Sequence, residues 1–321
     1  MDKRIPVILI SLILVVTLLS QINLKDLINV LLRADLRYLA PGFFVMMGAY
    51  FFRGLRFYYM LDRRISLKNL VQISCVLTFI NVLVPARIGE VSYIYMIKKF
   101  GSNTGAGIGT LVVARSLDLI FISSFFIIAI LNLGNVPPIV SRVLYLAAAA
   151  MLGVILFLAG FLYHGEKLKS IAFRAAKRLK FHGRIIDYLF RKADETIAGM
   201  VIMKSRKVAT YSIITSGGIW MLLVSSTYLF VHAFGIDLGV VEIVIITSLV
   251  SLLPILPFYG FGGFGTTEAA FALLFISFEV EKEHAIAASF GVHIVPLAFI
   301  ALLGMIGMNI LKLELPDRIP R

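Results

Sequence analysis

The sequence predicts an all-α integral membrane protein, a polytopic helical bundle with inverted repeats and two broken, re-entrant helix hairpins. Three observations carry this. Of 321 residues 60% are hydrophobic and 15% charged, with mean hydropathy +0.94, whereas soluble domains carry about 25% charged residues. Uncharged apolar stretches recur along the whole chain. Two of them are interrupted by Pro and Gly, at residues 84–90 and 254–268, and after each break a helix restarts with a glutamate in its first turn, Glu90 or Glu268.

The elements follow in order. Lys3 and Arg4 precede the apolar run Ile5–Ser20, which no small-x-small cleavage site follows, so it reads as a signal anchor with its N-terminus inside. Residues 22–37 set Leu24, Leu27, Ile28, Leu31 and Leu32 at helical spacing, as in an amphipathic helix at the outer interface. Tyr38–Leu61 spans. It carries Arg53 and Arg56 one turn apart, and Arg56, near Arg63 and Arg64, is expected to snorkel to the head groups. Leu70–Val84 and Ile88–Ile97 are each shorter than the roughly 20 residues a span needs. They meet at Pro85, which suits a re-entrant hairpin, because non-helical backbone at membrane depth must be buried in protein or line a wet cavity. Ile108–Leu131 spans with Arg115 and Asp118 one turn apart, spaced to pair on one face. Leu133–Ser141 is an uncharged loop, and Val143–Tyr163 returns across.

Residues 164–207 hold 12 of the 31 Lys and Arg against four acids, with apolar positions at helical spacing. They read as basic amphipathic helices on an anionic leaflet surface. Val208–Phe234 spans. Ile243–Thr267 is uncharged but broken by Pro254, Pro257, Gly260, Gly262, Gly263 and Gly265, with Glu268–Phe278 as its returning arm and Thr266 as a candidate N-cap. His284–Leu311 closes the chain. The domain organisation expected is a single membrane domain, 1–321, with halves 1–163 and 208–321 joined by the 164–207 connector.

Charge orients these spans. With the N-terminus inside, the Arg63/Arg64/Lys68 turn, the Lys98/Lys99 loop, the basic connector and the C-terminal tail fall on the cytoplasmic side, and the acidic 279–283 turn falls outside. Only the 22–37 segment, with Lys25, Arg33 and Arg37, violates the rule. The Pro85 hairpin then enters from the cytoplasm and the Pro254 hairpin from outside, the pattern of inverted repeats whose broken helices meet at a transporter's substrate site.

The net charge of +13 in a chain this apolar points to lipid surfaces rather than nucleic acid. One cysteine, Cys75, excludes an internal disulfide and a multi-cysteine metal site. No His-Glu-x-x-His helix and no Gly-x-Ser-x-Gly element is present. No enzyme activity, cofactor or metal is expected.

Pro85-x-Arg87-x-Gly89-Glu90, then Ala114-Arg115-Ser116-Leu117-Asp118, then Pro254-x-x-Pro257 with the Gly-rich run into Glu268, resemble the lysylphosphatidylglycerol synthase transmembrane domain, a flippase-like family. The resemblance covers nearly the whole chain, and the Gly-rich motif departs from it through an insertion-like Phe258-Tyr259-Gly260-Phe261. It implies movement of a phospholipid or polyprenyl-phosphate-linked head group between leaflets of the cell membrane. The chain ends at Arg321, so no aminoacyl transferase domain is expected and lysyl transfer is not carried over.

Arginine suits a phosphate because its planar fork donates two bonds. The candidate substrate-binding residues are Arg87, Glu90, Arg115, Asp118, Glu268 and Arg53, with Pro85, Gly89, Pro254, Pro257, Gly262, Gly263 and Gly265 as break or gating positions. Three tasks stay open for the glutamates: neutralising the arginines, binding a cationic head group, or taking up a coupling proton. Local structural pairing of Arg87 with Glu90 and of Arg115 with Asp118 is the plain alternative. His293 suits a proton relay or a hydrogen-bonded core position. A non-transporting scaffold of a lipid or glycan synthesis enzyme is the alternative function, and a homo-oligomer or such an envelope enzyme the further partner.

Overall fold

The computed structural model describes residues 14–21, 24–83, 89–133, 142, 145–153, 155–156, 170, 174, 205–255 and 259–312, and these hold helices and no strand. Pro85, Arg87, Pro257, residues 134–141 of the uncharged loop, most of the Ile5–Ser20 run and nearly all of the 164–207 connector lie outside the described residues.

The first half comprises α1 (Leu24–Leu32), α2 (Leu36–Met60), α3 (Leu67–Leu83), α4 (Gly89–Lys99) and α5 (Thr104–Leu131). The second comprises α6 (Arg206–Ala233), α7 (Val240–Leu252), α8 (Thr266–Ser277) and α9 (Lys282–Ile310). Side-chain caps start two of the long helices. The Asp35 carboxylate accepts from the Arg37 N–H at 2.8 Å, and Asn103 Oδ1 accepts from Ala106 N–H at 2.7 Å. Helices α5, α6 and α9 are long and apolar enough to cross a bilayer. The hairpin arms are not. At about 1.5 Å per residue, the 17 residues of α3 and 13 of α7 fall short of the roughly 30 Å hydrocarbon layer.

Helices α2 and α6 pack against each other over their whole length, and they run antiparallel. Gly42 lies under Phe230, Gly48 under Leu222 and Phe52 over Gly218, while Tyr59 stacks on Tyr211 with ring centroids 4.0 Å apart. Small residues let the backbones approach, as apolar surroundings favour. Helix α3 packs on α9, with Phe79 against Gly304 and Val76 against Gly307. Helix α5 packs on α7, where Ser248 Oγ donates to the Ile122 carbonyl and Phe126 shares a cluster with Ile245.

These contacts test the repeat. If α2, α3, α4 and α5 correspond to α6, α7, α8 and α9, the α2–α6 contact maps onto itself, and the α3–α9 contact exchanges with α7–α5. All three are present. That is the reciprocity of a two-fold relation, and the antiparallel α2–α6 seam makes the repeats inverted. The Gly-rich 3-10 turn Phe261–Gly263 packs on α3, so the second break lies against an arm of the first hairpin.

Candidate functional site

Helix α4 begins at Gly89, directly against Asn81 of α3, where a Cβ would collide with the asparagine's side chain and backbone. With the helix start held there, Glu90 in its first turn meets α5. Arg115 Nε donates to Glu90 Oε1 at 2.9 Å. One turn on, Asp118 takes both arms of Arg56 from α2, at 2.7 and 3.3 Å, and Arg56 also donates to Ser216 Oγ on α6 at 3.0 Å. The Arg115–Asp118 pair expected on one helix face exists only at 3.8 Å. Each residue takes its closer partner from another helix, Asp118 the Arg56 fork and Arg115 the Glu90 carboxylate.

The result is a chain of four alternating charges on three helices: Arg56, Asp118, Arg115 and Glu90. Exposure is lower in the Arg56–Asp118 half than in the Arg115–Glu90 half. Arg56 is 3% exposed and Asp118 17%, against 38% for Arg115 and 30% for Glu90. One end is anchored in the core and the other is open. Arg56 therefore does not snorkel; burial between α5 and α6, with a bidentate carboxylate, holds it inside the bundle. Arg53 is half-buried, donates to Thr78 Oγ1 of α3 at 3.2 Å and stands 5.2 Å from the Tyr50 ring centroid.

The second break is built differently. Pro254 sits in the 3-10 turn Leu253–Ile255 that ends α7. Gly262, Gly263 and Gly265 then adopt φ of 63°, 75° and 81°, a left-handed backbone that glycine alone takes without strain. A Cβ on Gly263 would also strike the Tyr259 hydroxyl and Thr267 Oγ1, so the insertion-like segment furnishes part of this site. Gly265, not Thr266, is the N-cap of α8; Thr266 is already helical and its hydroxyl donates back to the Gly263 carbonyl at 3.0 Å. Glu268 curls back to accept from Gly265 N–H at 2.7 Å and is fully buried. Its other oxygen, Oε1, lies 2.8 Å from Nδ1 of His293 on α9.

The two breaks share one spacing. In each, a glutamate opens the returning arm and meets a base 25 residues later on the following long helix: Glu90 with Arg115, Glu268 with His293. Between the hairpins lies an apolar cavity of about 270 Å³, lined by Phe79 and Val82 of α3, Gly262 and Phe264 of the second break, and Ile294 and Leu297 of α9. The Phe264 ring, which lines the cavity, also packs on His293, centroids 5.4 Å apart. Among the described residues no three His, Cys, Asp or Glu side chains converge as a metal ion would require.

Residues 5–304 match the family described as the lysylphosphatidylglycerol synthase transmembrane region. The chain belongs to that family. Neither a search of curated proteins nor one of solved structures found a match. Membership accounts for a multi-pass membrane protein with a lipid-related function, and the matched span takes in both hairpins of this lysylphosphatidylglycerol synthase transmembrane family member.

Of the residues singled out from sequence, Glu90, Arg115 and Asp118 come together, Arg53 reaches α3 beside them, and Glu268 stands at the other break. Sequence reasoning missed Arg56 and Ser216. The signal for Arg56 was present in its one-turn spacing from Arg53, which puts both on one face, but the nearby Arg63 and Arg64 drew it to the membrane surface.

Proposed function

We propose that this protein translocates a lipid with an anionic or zwitterionic head group, a phospholipid or a polyprenyl-phosphate-linked sugar, between the leaflets of the cytoplasmic membrane. One observation carries the reading: the alternating charge chain is buried at Arg56–Asp118 and open at Arg115–Glu90. Arg115, 38% exposed, is within reach of a head group. An incoming phosphate competes with Glu90 for the Arg115 fork, replacing one charge-assisted pair by another. Asp118 and Arg56 keep α5 in place while that exchange occurs. The apolar cavity at the meeting hairpins offers the lipid's chains a place out of water. The charge distribution supports a cytoplasmic N-terminus and connector, with the connector on the anionic leaflet.

The test is leaflet translocation in proteoliposomes, with fluorescent phospholipids and a polyprenyl-phosphate sugar as probes. Wild type moves at least one probe, and Arg115→Ala, once shown to fold, loses that movement. Wild type moving none of them, while capturing a lipid or glycan synthesis enzyme, would establish the scaffold reading instead.

A further inference from the structure

The pathway above uses the open arginine pair and leaves Glu268 and His293 without a task. We propose that the Glu268–His293 pair is a proton-binding site, and that one proton crosses with each monoanionic lipid head group. The inference rests on the translocation reading and adds its coupling ion.

The corresponding pairs differ in one property. Arg115 keeps its proton at any pH a cell meets, whereas imidazole exchanges one near neutrality. The same position in the two halves therefore holds a fixed charge in one and an exchangeable proton in the other. Access agrees with that role. Glu268 has no exposed surface, while the His293 side chain is 11% exposed and its ring packs on Phe264. Protons reach the carboxylate through the imidazole.

The states balance. With one proton shared between Oε1 and Nδ1, the pair is neutral whichever atom holds it. Loss of that proton through His293 leaves the Glu268 carboxylate held by Gly265 N–H and the start of α8. A negative pair at the second break disfavours an anionic head group on the pathway and a neutral one admits it, so proton and anionic lipid favour each other's binding by the same factor. The pair and a monoanionic head group together carry no net charge across.

Few other ionisable groups lie on the elements around this pair. Tyr259 of the break is nearest, its hydroxyl standing with Thr267 Oγ1 against Gly263. On α9, Lys282, Glu283 and His284 precede His293 by more than two turns, and α3 carries Lys68 and Cys75 well before its end at the break. Glu242 opens α7, His232 closes α6, and Lys25 and Arg33 lie on or just beyond α1.

The full chain is reconstituted in vesicles with acyl-labelled phosphatidylglycerol as probe, a pH difference of one unit and the membrane potential clamped. Wild type enriches the probe in the leaflet facing the alkaline side, by about tenfold for one proton per lipid, and a change of clamped potential leaves this unaltered. His293→Arg, which installs the first half's pair in the second, gives no enrichment. Neither does Glu268→Gln, which keeps an acceptor for Gly265 N–H. Equal distribution in a wild type that still moves the probe, or enrichment retained by His293→Arg, overturns the proton site and leaves translocation standing. If wild type moves no probe, translocation fails, and the site is read by proton uptake when phosphatidylglycerol binds the detergent-solubilised chain in weak buffer. About one proton per lipid in wild type and none in His293→Arg upholds it, and none in wild type overturns it.

Discussion

At the first break, Glu90 meets an arginine that is itself tied, through Asp118, to a second arginine buried against α6. At the second break, the corresponding Glu268 meets a single histidine and turns its other oxygen to its own backbone. Spacing and helix order are the same. The first site is a chain of charges that reaches an open surface, and the second is a closed pair with one partially exposed edge. Inverted repeats can thus keep a shared spacing while differing in chemistry, one copy pairing its glutamate with a guanidinium and the other with an imidazole. Burial marks the difference, because a wholly buried carboxylate persists only with a partner that compensates it.

Substitutions can break this contrast at several depths. The largest loss is expected from Arg56→Ala, which leaves Asp118 without its bidentate partner. Removing one member of a buried pair costs about 3–5 kcal/mol, read as a lowered midpoint of thermal unfolding in detergent. Arg56→Met combined with Asp118→Leu should recover much of that loss, since no orphaned charge then remains. A smaller cost, about 1–3 kcal/mol, follows from Gly263→Ala in the same assay, because φ of 75° and the Tyr259 hydroxyl both resist a side chain there. Wild-type stability in that variant would show that the second break adjusts its backbone freely.

Arg115→Ala should be the mildest for folding. Its pair is about one third exposed, and such pairs contribute about 0–1 kcal/mol. The same variant should nonetheless be among the most damaging to lipid movement in proteoliposomes. A large effect on stability with translocation intact would reverse the assignment of the open and anchored ends.

The breaks and their glutamates were legible in the sequence because Pro, Gly and first-turn Glu act locally. Helices such as α2 and α5 lie within a few residues of the expected spans for the same reason. The partners were not legible. Arg56 and Asp118 are separated by 62 residues and Arg56 and Ser216 by 160, so only the fold, which lets the Arg56 side chain reach both α5 and α6, brings them together. The Arg115–Asp118 pair expected from the spacing forms at 3.8 Å, but a group from another helix gives each residue its shorter contact. The 25-residue interval from each glutamate to its base is present in the sequence, yet it acquires meaning only once α4 and α8 are known to correspond. Thr266 was misread as a cap because three left-handed glycines brought the helix start forward to Gly265.

The antiparallel seam of α2 and α6 has a mechanical consequence. Close approaches at Gly42, Gly48 and Gly218 and the Tyr59–Tyr211 stack run its full length, so prising it apart would break every contact at once, whereas twisting about it would disturb few. The seam is the bundle's axle. A covalent staple across it, through Gly48→Cys and Leu222→Cys, should leave lipid traffic running, while one between α3 and α9, through Phe79→Cys and Gly304→Cys, should jam it.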